Sequence, residues 1–210
     1  MKGKYIVIEG IIGTGKSTQT RLLTAFLQMQ FPDTEIVCVR EPGGTEIAEA
    51  IRRLAQGTKF EEEMAPLCSA YLYAAARAQL LPTVVFAVLR RGGIVVSDRS
   101  FVTSLTNQAA GLELGFETVL QINLPAIEKH LPDIIVHLNL SLEVALARVF
   151  DHSNDRWERY PREFYEKVLK GHERASQLPL LRDRWFTVNA TGSVEEVFER
   201  VKNVVLQNLS

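Results

Sequence analysis

The chain has 210 residues, 46% of them apolar and 23% charged, which is ample for one domain with a full core. With 24 basic against 25 acidic side chains there is no strong field to gather nucleic acid, so a helicase or repair ATPase loses ground. No uninterrupted apolar run reaches the ~18 residues of a membrane span, and no signal-peptide pattern opens the chain, so a cytosolic protein without membrane or nucleic-acid partners is expected.

An apolar run over 4–9 leads into Gly10-Ile11-Ile12-Gly13-Thr14-Gly15-Lys16-Ser17, which satisfies the phosphate-loop pattern G-x-x-x-x-G-K-[ST] at every fixed position. The pattern predicts a strand, a tight loop and a helix opening near Lys16. Gly10, Gly13 and Gly15 let successive backbone N–H groups turn toward phosphate oxygens at the positive end of that helix. Lys16 is placed to reach the β and γ phosphates, the Ser17 hydroxyl to join the coordination of Mg²⁺, and Thr14 and Thr18 to complete the ATP-binding set.

Residues 17–30 carry a helical apolar face that Pro32 ends, and 35–40 form a core-type strand running into Glu41-Pro42-Gly43-Gly44-Thr45. Thr45 is the expected cap of the next helix, without a full capping box because Ala48 stands at its third position. From 61 to 91 the chain reads as mostly helical, with Pro66 at a start, Pro82 at a kink or break, and Tyr73, Ala76, Arg77 and Leu80 on one face. After Gly92-Gly93, residues 93–97 read as an interior parallel strand ending at Asp98 and Arg99, the edge where ligands of open α/β sheets collect.

Helices are expected over 101–110 and 116–130, a buried strand over 133–139, and a further helix capped by Ser141. Charge rises from Asp151 onward, which reads as an exposed lid spanning about 148–160. A helix over 162–178, a strand over 185–189 and a last helix from Ser193 follow. Cys38 and Cys68 are expected as buried apolar groups. The four histidines lack zinc spacing, with His137 interior and His130, His152 and His172 solvated. Together the elements predict one α/β domain, a three-layer sandwich around a five-stranded parallel sheet.

The phosphate loop, Arg40-Glu-Pro-Gly-Gly-Thr45, Tyr73-x-x-x-Arg77-Ala-Gln79, Ser97-Asp98-Arg99 and Asp155-Arg156-Trp-Glu158 stand in an order and spacing that resemble the thymidylate kinase family over about residues 4–206. The resemblance implies strand order 2-3-1-4-5, a homodimer, and transfer of the ATP γ-phosphoryl group to dTMP with Mg²⁺, yielding dTDP. It implies that Asp98 serves Mg²⁺ and the reacting phosphates, that Arg77 and Arg99 hold the acceptor phosphate, and that Arg156 is the lid arginine. Arg148 corresponds to the arginine near adenine, Tyr73 to the ring that stacks on thymine, Ser104 to a pyrimidine hydrogen-bonding group, and Glu41-Pro42 to the border of the acceptor site.

Four departures fall on the acceptor side. Ile12 stands where the family loop carries an acid, and Asp98-Arg99-Ser100 replaces the usual D-R-Y. Ala75-Ala76-Arg77 replaces A-D-R, and Thr106-Asn107-Gln108 replaces the sugar-side A-Y-Q, so that Asn107 leaves room where a tyrosine would exclude a ribose 2′-OH. Two alternatives therefore stay open, a kinase for another nucleoside or deoxynucleoside monophosphate and a phosphate-loop ATP-binding protein without transfer activity.

Overall fold

The structure is a computed structural model, and it describes residues 3–57, 60–128, 130–148 and 156–209, with the side chain of Glu158 excluded. Five strands, β1 (Lys4–Glu9), β2 (Ile36–Arg40), β3 (Ile94–Asp98), β4 (Ile134–Asn139) and β5 (Trp185–Asn189), form a parallel sheet in the order β2-β3-β1-β4-β5. The order reverses at β1, and the crevice at such a switch point is where these sheets receive ligands. Register brings Ile8 level with Asp98 on one side and Val136 on the other, so the end of β1 sits between Asp98 and His137.

Side chains of β1 alternate between two cores, as strand geometry requires. Ile6 and Ile8 join Leu23, Leu27, Val197 and Val201 from α1 (Lys16–Gln30) and α9 (Val194–Asn208). Tyr5 and Val7 join the opposite core with Leu80, Phe101, Leu105 and Val119. Burial on both faces explains why the central strands are continuously apolar rather than alternating.

The remaining helices are α2 (Glu46–Gln56), α3 (Pro66–Leu80), α4 (Phe86–Arg90), α5 (Phe101–Ser104), α6 (Phe116–Ile127), α7 (Leu142–Ala147) and α8 (Arg162–Ser176). The caps are those expected: Thr45 accepts from the Ala48 amide at 3.2 Å and Ser141 from the Val144 amide.

Several expectations are corrected. Of the kink or break expected at Pro82, the structure has a local distortion and not a break. A π turn over Leu81–Val85 takes up the missing N–H, and α3 runs on into α4. By length and composition alone the resulting Pro66–Arg90 could cross a membrane, yet half of its apolar window is buried in the fold, and it is a core helix. Residues 61–65 lie outside the helix, whereas the helix expected over 101–110 is present, with α5 running on as a second π segment over Leu105–Gly111.

Cys38 and Cys68 are exposed, because β2 is an edge strand and Cys68 lies in the first turn of α3. His172 is buried and stacks on His137 at 4.7 Å, and desolvation pushes both imidazoles down, His137 to about 4. His130 is exposed as expected, while His152 lies outside the described residues.

Candidate functional site

The loop after β1 is shaped by its glycines, with Gly10, Gly13 and Gly15 at φ of 147°, 75° and 88°. A Cβ on Gly10 would meet the Leu138 carbonyl and Thr14 Oγ1, each at 2.8 Å, so close approach as well as conformation requires glycine there. Gly15 caps α1 in a left-handed conformation with no side-chain hydrogen bond, which leaves the first-turn amides to an anionic ligand.

Lys16 folds back over this loop, its Nζ donating to the Ile11 carbonyl at 2.5 Å and to Thr14 Oγ1 at 3.4 Å. Desolvation lowers the Lys16 ammonium to about 7, with Arg99 adding to the shift and Asp98 and Glu9 opposing it. Phosphate oxygens would add countercharge at this buried cation, beyond that of Asp98 and Glu9.

The end of β3 places Asp98 against Ser17, whose hydroxyl donates to Asp98 Oδ2. The other oxygen, Oδ1, is buried without a hydrogen-bond partner among the described residues. A hydroxyl beside a carboxylate with a spare buried oxygen fits Mg²⁺, a hard cation that takes few protein ligands and keeps water and phosphate in its remaining positions.

Arg99 follows with φ 75°, its amide bonded to the Ile8 carbonyl at 3.0 Å. Its Nη1 donates to the Gly10 carbonyl and to Thr103 Oγ1, each at 3.3 Å, which lays the guanidinium along the loop. Behind it, wholly buried Glu9 accepts from Ser100 Oγ and Thr103 Oγ1 at 2.8 Å each. Burial raises the Glu9 carboxyl, and Arg99 with the two hydroxyls pulls it back down. Sequence reasoning missed Glu9, although an acid closing an apolar strand just before the first loop glycine was a visible signal. Ser100, a departure in the sequence, both caps α5 and donates to Glu9.

A cavity of ≈ 360 Å³ connects Lys16, Ser17, Asp98 and Arg99 to a second group that includes Arg52, Gln56, Tyr73, Asn107 and Trp157. Among the described residues the Tyr73 hydroxyl accepts from Gln56 Nε2 at 2.9 Å and from Trp157 Nε1. Glu41 also lines the cavity. Its carboxylate accepts from the Tyr5 hydroxyl at 2.9 Å and from Arg77 Nε at 2.5 Å.

Arg77 lies differently from the sequence expectation. It is 1% exposed, bonded to Glu41, Asn123 and Ser104, and it sits beneath the cavity rather than among its lining. Ser104, itself fully buried, is likewise below the surface. The guanidiniums that line the cavity among the described residues are Arg99, Arg52, which donates to the Pro42 carbonyl at 2.9 Å, and Arg40, which pairs with Glu49 at 2.8 Å. Arg52, Gln56 and Trp157 were not picked out from the sequence, since residues on α2 and in the lid carry no local mark of facing α3.

Asn107 lines the cavity, whereas Gln108 is buried and turns its amide to Ser69 Oγ at 3.3 Å. Arg156 does not line the cavity either. It donates to Ser69 Oγ at 2.9 Å and lies 4.8 Å from the Trp157 ring centre. Arg148 is exposed at the end of α7. The rest of the expected lid, residues 149–155 with Asp155, lies outside the described residues.

The Thymidylate kinase family model matches residues 8–201. The thymidylate kinase of Thermosipho africanus is 33% identical over 205 residues, covering 98% of both chains, and that of Caldicellulosiruptor saccharolyticus is 35% identical over 206 residues, covering 98% of this chain and 97% of the relative. The thymidylate kinase of Desulforudis audaxviator is 42% identical over 173 residues, covering 82% of this chain and 77% of its own. The crystal structure of thymidylate kinase from Ehrlichia chaffeensis superposes with a TM-score of 0.80 at 23% identity, over 98% of this chain and all of that one, a likeness of fold. With its sheet order, its phosphate loop and matches along nearly its whole length, the chain belongs to the thymidylate kinase family.

Proposed function

We propose that the chain transfers the γ-phosphoryl group of ATP to dTMP, giving ADP and dTDP. The observation that carries this reading is the single cavity joining the phosphate loop, Asp98 and Arg99 at one end to an aromatic and amide slot at the other. Donor and acceptor must meet in one dry space for transfer to outrun hydrolysis.

In this reading the loop amides and Lys16 hold the ATP phosphates, while Arg99 and Arg52 hold the acceptor phosphate in line. Mg²⁺, held through Ser17 and Asp98, would neutralise charge on the donor phosphates. An acceptor phosphate oxygen forms the new bond to γ-phosphorus as the bond to the bridging oxygen breaks, and the electron pair leaves with ADP. The acceptor is already an anion, so no general base is needed, and the chain's task is alignment and charge compensation. Tyr73 offers its ring to the acceptor base, with Asn107 toward the sugar, Glu41-Pro42 at the border and Arg148 toward adenine. Arg156 would serve the phosphates only after leaving Ser69.

Homodimerisation belongs to the same proposal. Leu67 and Tyr71 on α3 and Leu124 on α6 expose 42%, 57% and 38% of their surfaces, and a shared interface would cover such side chains. Sedimentation at the mass of two chains is the expected result. A cytosolic setting also follows from this reading.

The decisive test supplies dTMP, dUMP, UMP, dCMP, dGMP and dAMP separately with equal Mg-ATP and measures ADP. Highest kcat/KM with dTMP is expected. A clear preference for another monophosphate would reassign the acceptor, and no ADP with any of them would favour an ATP-binding protein.

A further inference from the structure

The short turn Arg156–Arg159 at the end of the lid is fastened to α3 at two residues one helical turn apart. Arg156 donates to Ser69 Oγ at 2.9 Å, and the Trp157 indole N–H donates to the Tyr73 hydroxyl. The Tyr73 and Trp157 rings meet edge to face at 5.9 Å, and both are buried, at 1% and 6% exposure. From the far side the Tyr165 hydroxyl donates to the Trp157 carbonyl, and Tyr160 and Phe164 stack on the indole at 5.4 and 5.6 Å. The indole is thus gripped on one side by α8 and presents its N–H to the ring on the other.

This bond exists only because two residue types coincide. A phenylalanine at 73 has no acceptor, and a phenylalanine at 157 has no donor. Both residues line the cavity, so the bond spans the wall of the acceptor slot.

We propose that Trp157 is a positioning residue for acceptor recognition, a latch that fixes the Tyr73 ring through its hydroxyl and makes the lid turn part of the acceptor wall. The proposal rests on the reading that the acceptor base packs on Tyr73. Without the latch the Tyr73 hydroxyl keeps its Gln56 donor but loses the indole that braces the ring edge, so the ring can shift about Cα–Cβ and the base loses a pre-set surface. Acceptor affinity then falls while the ATP end of the cavity is untouched.

The test is a double-mutant cycle with Trp157→Phe and Tyr73→Phe, using the monophosphate that turns over best in the parent. Loss of one buried neutral hydrogen bond, about 1 kcal/mol, corresponds to about a fivefold rise in acceptor KM. Trp157→Phe should therefore raise acceptor KM about fivefold in the parent, leave ATP KM in place, and have no further effect when Tyr73 is already Phe. The same fivefold rise in the Tyr73→Phe background, or an acceptor KM that never moves, overturns the latch.

A second readout does not depend on turnover. Trp157 and Trp185 are the two tryptophans of the chain, so Trp185→Phe leaves Trp157 as the sole emitter. Adding Tyr73→Phe should then shift that emission to the blue, and unchanged emission overturns the bond itself. If no monophosphate were phosphorylated, the kinase reading would fall while the emission comparison still decided the latch.

Discussion

The buried pair of Arg77 and Glu41 decides whether Arg77 acts on the acceptor directly or through its neighbour. Both side chains are almost wholly removed from water, at 1% and 2% exposure, and their 2.5 Å contact is extended by Tyr5 on the carboxylate and Asn123 on the guanidinium. Truncating one member of such a pair strands the other charge, at about 3–5 kcal/mol. In a chain of 210 residues each kcal/mol moves Tm by about 2–4 °C, so Arg77→Met or Glu41→Gln should lower Tm by roughly 6–20 °C. Replacing both at once, as Arg77→Met with Glu41→Leu, should recover much of the loss because no charge is left unpaired. Thermal and urea unfolding measure these differences, and steady-state kinetics on the folded fraction completes the comparison. If Arg77→Met kept the parent Tm and raised only the acceptor KM, Arg77 would be a cavity-facing phosphate ligand and its buried placement would be wrong.

Three further outcomes follow from the donor half. Lys16 is lowered to about 7 from 10.5, so between those values the unfolded chain binds more protons and the free enzyme gains stability as pH rises. At about pH 8, roughly 0.9 of the folded Lys16 is neutral, so ATP binding should take up close to one proton, seen by calorimetry in two buffers of different ionisation enthalpy and absent in Lys16→Met. Proton release, or equal uptake in the variant, would show that Lys16 is not the group responsible. Asp98→Asn removes the charge from the oxygen left without a partner and should raise the Mg²⁺ needed for half-maximal rate by about 10–100-fold, whereas an unchanged Mg²⁺ titration would place the cation elsewhere. Gly10→Ala drives a Cβ to 2.8 Å from the Leu138 carbonyl at φ 147°. A strain of about 1–3 kcal/mol should then appear as at least ~5-fold weaker ATP binding, and a parent-like affinity would show that the loop has room to move.

What could be read from the sequence was local. The phosphate loop, the helix caps and the apolar strands depend on residues a few positions apart, and all stand where periodicity and turn chemistry put them. What could not be read depends on partners far along the chain. The exposure of Cys38 follows from β2 being the sheet edge, a property of topology. The orientation of Arg77 is set by Asn123, 46 positions away, and the Tyr73 hydroxyl is answered by Trp157, 84 positions away.

The acceptor-side departures follow the same rule, because separately they read as losses and together they form a different construction. Ala76 is fully buried, and so is the Ser100 side chain with its bond to Glu9, so neither position offers a carboxylate or phenol to the cavity. The Gly10 carbonyl and the Thr103 hydroxyl hold Arg99, and Glu9, which accepts from the Ser100 and Thr103 hydroxyls, adds its charge from behind. Ile12 lines the same cavity as Tyr73, Trp157, Phe164 and Tyr165 and packs, partly buried, against the larger of the apolar clusters, so an unpaired acid there would lose part of its water. Ile12→Asp should therefore destabilise the fold by about 1–3 kcal/mol, read by urea unfolding, and a parent-like midpoint would show that the acid keeps its water.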